Sequence, residues 1–289
     1  MPDLAGQAIG FIGLGLMGRP MARNLAAAGA RLIVHNRSRG AVDALAAEGM
    51  TAAESPHAVA TAADIVILML PDTPTVEAVL FGDDGVAGGL RPDALVIDMG
   101  TTAVTATRAF AARVANYVDA PVSGGQVGAE AGTLTIMAGG STADFARARP
   151  LFEVLGSHIT HVGDSGAGQV AKAVNQVIVG LTIGAVAEAL ALARAAGVDP
   201  EMVRQALAGG FAGSRILELH GQRMTAGDFT PGGRAATQQK DMEQALALAA
   251  ELGLDLPATA LNRDLYDRLI ATGHGDLDHS ALYKLFDES

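Results

Sequence analysis

Cysteine and tryptophan are both absent from the 289-residue sequence. The first absence excludes disulfides, thiolate metal sites, iron–sulfur clusters and a cysteine nucleophile. The second, with aromatics at only 4%, leaves no stacking platform for single-stranded nucleic acid. Basic residues are also scarce: 20 Lys and Arg stand against 31 Asp and Glu, a formal net charge of −11. Such a field opposes duplex nucleic acid and anionic membrane surfaces, so neither is expected as a partner. A local basic patch can still hold a small anion. Residues 1–7 carry an Asp and no basic residue, unlike a secretory signal, and a cytoplasmic location is expected. The most membrane-like stretch, residues 170–193, is interrupted by Lys172, Asn175, Gln176 and Glu188 and reads as a buried helix. The 7 histidines show no metal-ligand spacing, and no metal site is expected.

Apolar residues and glycine are plentiful. Hydrophobic residues make up 49% of the chain, enough for a sizeable core, and 36 glycines suggest many tight turns beside a ligand. Short β-branched runs (residues 9–12, 32–34, 65–70 and 95–97) alternate with Ala-rich amphipathic stretches (20–28, 41–48, 56–63 and 74–81). Continuous apolar strands alternating with helices predict a parallel sheet covered on both faces. Further strands are expected at 117–118, 134–138 and 158–162. Beyond Gly163 the pattern turns helical: 170–196, 200–209, 213–224, 236–253 and 257–272. Asp199-Pro200 marks one helix start, an N-cap followed by Pro at the first helical position. The expected architecture is α/β. A Rossmann-type doubly wound parallel sheet spans 1–164, and a long helix joins it to an all-helical domain spanning 165–289.

Gly13-Leu14-Gly15-Leu16-Met17-Gly18 sits between an expected strand and an expected helix. That context matches a dinucleotide fingerprint. The first Gly makes the turn, the second admits a pyrophosphate to the backbone, and the third packs helix on strand. The pyrophosphate would rest on the helix N-terminus. An acid about 20 residues later would hold the ribose 2′-OH of NAD. The end of the second strand instead reads His35-Asn36-Arg37-Ser38-Arg39. Asn36 cannot repel a 2′-phosphate, and Arg37 and Ser38 can bind one, with Arg39 able to help, so NADP(H) is expected over NAD(H).

Lys172 falls inside the apolar helix, with Asn175 and Gln176 three and four positions on, so all three share a helical face. A charged residue there needs a reason. Ser123-Gly124-Gly125 follows a short strand and Pro121. Successive small residues there expose N–H groups suited to a carboxylate.

Four motifs in order carry a family resemblance over essentially the whole chain: residues 13–25, Asp119-Ala-Pro-Val-Ser123-Gly124-Gly125 with Gly132-Thr133-Leu134, residues 163–175, and Lys240-Asp241-Met242. Together they resemble the β-hydroxyacid dehydrogenases. The resemblance implies that Lys172 is the general acid for reduction and the base for oxidation, helped by Asn175. It places Ser123, Gly124, Gly125, Thr101 and Gln176 at the substrate. It also places Leu70 and Pro71 beside the adenosine ribose, and Thr101 and Lys240 near the nicotinamide. The implied substrate is a small carboxylated aldehyde or hydroxy acid, and a homodimer or homotetramer is expected. Gln176, Glu188-Ala-Leu190 and Asp278-His279-Ser280 most resemble the tartronate-semialdehyde reductase branch. Against that branch, Gly100 stands where Ser is usual. Residues 232–239 also lack the aromatic and aliphatic residues usual before the Lys-Asp pair. His279 falls either near the substrate or at a helix cap. The alternatives are a 3-hydroxyisobutyrate- or threonate-type dehydrogenase and a succinic-semialdehyde or glyoxylate reductase. Imine reductases share the architecture but generally lack the Lys, and Lys172 likewise argues against a non-enzymatic nucleotide-binding module.

Overall fold

A computed structural model of the chain describes residues 2–287. Its contacts divide into two compact units, Met1–Lys172 and Ala173–Ser289.

The first unit is built on a nine-stranded sheet. Its strands are β1 (Ala8–Ile12), β2 (Arg31–His35), β3 (Thr51–Ala52), β4 (Ile65–Leu68), β5 (Leu95–Asp98), β6 (Tyr117–Asp119), β7 (Val122–Ser123), β8 (Leu134–Gly139) and β9 (Gly156–Gly163). The order β3-β2-β1-β4-β5-β6 is parallel throughout. This is the doubly wound order of dinucleotide-binding sheets. Beyond it, β8 runs antiparallel to β6 and β7, and β9 returns parallel to β8. The doubly wound parallel sheet expected from the sequence is present as this six-stranded run, and the strands beyond β6 add antiparallel pairs to it.

The interleaved helices are α1 (Gly18–Ala27), α2 (Arg39–Ala47), α3 (Pro56–Ala62), α4 (Thr73–Phe81), α5 (Val86–Gly89), α6 (Val104–Ala111), α7 (Gly125–Ala131) and α8 (Thr142–Leu155). The sequence pattern had not marked α5 to α8. The continuous apolar strands are explained by the sheet's two faces. Along β1, Ile9 and Phe11 enter one core cluster while Ala8 and Ile12 enter the other. On β5, Leu95 and Ile97 face the first and Val96 the second. Successive side chains alternate sides, so both sets must be apolar. Full burial of a side chain such as Phe11 contributes about 1.5–3 kcal/mol.

Helix α9 (Ala167–Ala195) starts in the first unit and continues into the second. The second unit also holds α10 (Pro200–Leu207), α11 (Arg215–Ala226), α12 (Ala235–Glu251) and α13 (Pro257–Leu269), followed by a 3₁₀ turn at His279–Tyr283. Asp199 caps α10 by accepting from Glu201 N at 2.9 Å. The core of this unit gathers Ile183, Leu190, Met242, Tyr266 and Leu282. Asn262 Nδ2 donates to Gly180 O at 3.1 Å and draws α13 against α9. A Cβ on Gly184 would collide with that same amide.

Helix α9 is long and apolar enough to cross a membrane by length and composition. It is not buried all round, as the sequence suggested. Val174, Ile178 and Leu192 are exposed along one stripe, while Ile183, Ala187 and Leu190 are buried.

Candidate active site

The glycine-rich turn links β1 to α1. Gly13 has φ near 100°, and a Cβ there would strike Met69 O. A Cβ on Gly18 would strike Gly13 O and meet Phe11 Cε1 at 3.0 Å, so the third glycine sets the closeness of helix and strand. Gly15 differs: nothing lies within 4 Å of its Cβ position. Two glycines are thus demanded by the protein's own packing, and one leaves open space above the backbone. Leu16 is partly exposed, and Met17 occupies the N-cap of α1. The helix start has no capping side chain and no acidic residue in its first turn, which suits a phosphate.

Asn36 at the tip of β2 is tied into this turn. Its Oδ1 accepts from Leu14 N at 3.0 Å, and its Nδ2 donates to Ser38 Oγ at 2.8 Å. The second-strand tip and the glycine-rich turn therefore form one rigid rim. Arg39 is committed elsewhere, to Asp43 and Glu54, each at 2.9 Å. Arg37 is exposed and forms no ion pair among the described residues. Leu70 and Pro71 follow β4, with Leu70 half-buried and Pro71 exposed. A dinucleotide fits these residues: the open face at Gly15, the uncapped α1 and the Asn36–Ser38 rim supply its expected contacts.

The lysine site is assembled by buried polar groups. Lys172 is only 8% exposed. Its Nζ donates to Val122 O at 2.8 Å, which brings the ammonium beside Ser123-Gly124-Gly125. Ser123 ends β7, and Gly124 and Gly125 take φ of 129° and 61° where α7 begins. Positive φ there is natural for glycine. Gln169, one helical turn before Lys172, donates to Gly100 O at 2.9 Å and accepts from Thr102 N at 3.1 Å. This pins both sides of Thr101, which is half-buried. Thr102 Oγ1 donates to Asp98 Oδ2 at 2.6 Å. A Cβ on Gly100 would lie 2.7 Å from Leu70 O, so this backbone leaves no ready room for the Ser usual at that position.

Asp119 holds the start of α9. Its carboxylate accepts from Gly166 N at 2.7 Å and Gln169 N at 2.9 Å. Burial pushes its pKa up to about 7, against the pull of those two N–H groups. The neighbouring Tyr117 phenol is pushed well above its usual value, chiefly by burial and then by the charges of Asp98 and Asp119.

In the second unit, a polar chain runs inward from α9. Asn175 Nδ2 donates to Gln176 Oε1 at 2.7 Å, and Gln176 Nε2 donates to Asp241 Oδ2 at 2.7 Å and to Gln238 Oε1 at 3.2 Å. Gln238 returns a bond to Gln176 O at 3.0 Å. Lys240 Nζ lies 2.9 Å from Asp241 Oδ1. The predicted residues Asn175, Gln176 and Lys240 thus belong to one network, whose buried hubs are Gln238 and Asp241. Sequence reasoning did not single out Gln238, and it named or spanned Asp241, Asp98, Asp119 and Gln169 without giving them a role. The available signal was a polar residue inside or beside an already recognised motif.

Two family models match the chain. Residues 8–163 match the NAD binding domain of 6-phosphogluconate dehydrogenase, and residues 166–286 match the NAD-binding domain of NADP-dependent 3-hydroxyisobutyrate dehydrogenase. The 2-hydroxy-3-oxopropionate reductase of Escherichia coli (strain K12) is 50% identical over 279 residues, 95% of each chain. The chain belongs to the 3-hydroxyisobutyrate dehydrogenase-like family. It is an NAD(P)-dependent 3-hydroxyacid dehydrogenase or reductase. Within the family, the 2-(hydroxymethyl)glutarate dehydrogenase of Eubacterium barkeri is 38% identical over 285 residues, 97% of this chain and 95% of that one. The crystal structure of 3-hydroxyisobutyrate dehydrogenase from Salmonella typhimurium superposes with a TM-score of 0.88 at 32% identity, covering 96% and 99% of the two chains.

Proposed function

We propose that the chain is an NADP(H)-preferring reductase of a small carboxylated aldehyde, with tartronate semialdehyde as substrate. The observation that carries this reading is Lys172 Nζ held 2.8 Å from Val122 O, beside the Ser123-Gly124-Gly125 turn. The half-buried Ser123 hydroxyl and the glycine N–H groups bind the substrate carboxylate. That contact fixes the aldehyde end toward the ammonium. Lys172 gives its proton to the aldehyde oxygen as the carbonyl carbon takes up hydride and becomes a CH2–OH group. A bound reduced nicotinamide cofactor supplies the hydride. Donors already in place for the developing alkoxide spare the reaction their reorganisation. Asn175, on the next turn of the same helix, helps hold Lys172 in position and is itself steadied by Gln176. The activity for which the Escherichia coli relative is named supports the substrate, and Gln176 and Asp278-His279-Ser280 match that branch.

Arg37 supports the cofactor preference: it is exposed beside Asn36 and Ser38, and no acid stands at that strand end. Arg37→Ala is expected to raise the KM for NADPH well beyond its effect on NADH. Equal effects on both would remove Arg37 from 2′-phosphate binding. The exposed stripe at Val174, Ile178 and Leu192 supports a homodimer or homotetramer, which light scattering on the purified protein tests.

A further inference from the structure

His220 lies on α11 and His279 opens the 3₁₀ turn, 59 residues away. No sequence spacing joins them, yet the fold sets their rings edge to face. The centroids are 4.5 Å apart, the interplanar angle is 84°, and the two Nε2 atoms are separated by 3.3 Å. Both residues are half-buried. His220 Nδ1 is buried without a hydrogen-bond partner, and Asp278 Oδ1 lies 3.4 Å from it. Among the described residues, His220, Asp278 and His279 form the one such group whose ligating atoms all lie within 4.8 Å of one another.

Asp278 is already saturated. Its Oδ2 accepts from Gly232 N at 2.9 Å and Gly233 N at 3.2 Å, and Arg223 Nη1 lies 3.2 Å away. Its Oδ1 accepts from Ser280 N at 3.1 Å and Ser280 Oγ at 2.6 Å. A carboxylate so engaged is a poor ligand, but it suits the role of fixing an imidazole from behind. A proton on His220 Nδ1, facing Asp278, leaves Nε2 as the unprotonated nitrogen, 3.3 Å from His279 Nε2. Two imidazole nitrogens bound to one zinc ion at about 2.0–2.1 Å, at a tetrahedral angle, sit about 3.3–3.4 Å apart. The observed separation of 3.3 Å equals that distance, and the rings need only splay from 4.5 Å between centroids to about 5.2 Å for both lone pairs to converge on one ion.

We propose that His220 and His279 bind a borderline divalent transition metal, zinc by chemistry, through their Nε2 atoms. Asp278 orients His220, as carboxylates commonly do behind metal-bound histidines. With only two protein ligands, water completes the coordination, so the ion is exchangeable. The ion clamps α11 to the 3₁₀ turn. Because Gly232 and Gly233 hang on Asp278, it also stiffens the segment leading into α12. This inference stands apart from the assigned reaction and needs no step in it.

The test uses the full-length, tag-free protein stripped with a chelator and titrated with Zn²⁺ alone by calorimetry. Visible ligand-field absorption with Co²⁺ serves as a second probe. One ion per chain is expected at micromolar concentration, with Tm rising by several degrees. His220→Ala and His279→Ala should each abolish uptake, and His274→Ala should leave it intact. X-ray absorption of the wild-type zinc form should show two imidazole nitrogens at about 2.0 Å, which decides the matter even if the variants fail to fold. No uptake by the wild type would overturn the proposal and leave a proton-sharing histidine pair. Uptake unchanged in both variants, or a zinc shell without imidazole, would overturn it equally.

Discussion

Replacing Lys172 with Met removes the ammonium and keeps most of the stem. At 8% exposure the stem is packed, so Met preserves much of the contact that Ala would lose. Two consequences separate by size. The buried Val122 carbonyl loses the donor that stands 2.8 Å away, a cost of about 1–3 kcal/mol. Relief from holding a charge in a buried site offsets part of it, so Tm should fall by a few degrees at most. The chemical step loses its proton donor. General acid catalysis typically contributes about 10²–10⁴-fold, or about 2.7–5.5 kcal/mol of barrier. Single-turnover NADPH oxidation should therefore slow by two to four orders of magnitude, while the Kd for NADPH, read by its fluorescence, stays nearly unchanged. A rate within about tenfold of wild type would refute the role. Cofactor affinity that fell in step with the rate would instead mark Lys172 as structural.

Three further outcomes follow from the same geometry. Asn36→Asp places a carboxylate at the tip of β2, so kcat/KM for NADPH should fall at least about tenfold relative to NADH, roughly 1.4 kcal/mol of discrimination. An unchanged cofactor ratio would mean this strand end does not read the 2′ position. Gly168→Ala drives a Cβ into Met137 O and to 2.7 Å from Asp119 O, so it should cost about 1–3 kcal/mol in denaturant unfolding. A neutral result would show that the start of α9 can shift freely. Asp119 has a folded pKa raised to about 7 from an unfolded value of 3.8, so its contribution to stability is fully present below 3.8 and is lost as pH rises through 7. Against Asp119→Asn, wild-type stability should decline from pH 5 to 7 by no more than about 1.4 kcal/mol per unit and then level off. A flat or rising difference would show that the two N–H bonds outweigh burial.

The parallel sheet was readable because strands buried on both faces leave unbroken apolar runs, and Gly13, Gly15 and Gly18 each keep a distinct physical duty. The helices of the second unit were readable from their period and from punctuation such as Asp199-Pro200. Helix α8 was harder: Thr142–Leu155 mixes polar and apolar residues without a sharp stripe, and it carries Pro150 inside it. The reversal at β8 depends on pairing between distant strands, which local pattern does not encode. In the site, Lys172 and Ser123 stood out as motif members. Asp119, Gln169 and Asp241 act by gripping backbone or amide groups 47 to 69 residues away. Their roles exist only once the chain is folded. The same holds for His220 and His279, which no linear spacing connects.

The central claim is tested most directly by NADPH oxidation at saturating cofactor with tartronate semialdehyde, methylmalonate semialdehyde, succinic semialdehyde and glyoxylate in parallel, and with NADH as the alternative donor. The account predicts the highest kcat/KM for tartronate semialdehyde with NADPH, lowered about 10²–10⁴-fold in the Lys172→Met protein. Equal or greater efficiency with another aldehyde acid, or with NADH, would contradict the proposed specificity. Turnover within about tenfold of wild type after loss of the Lys172 ammonium would contradict the mechanism.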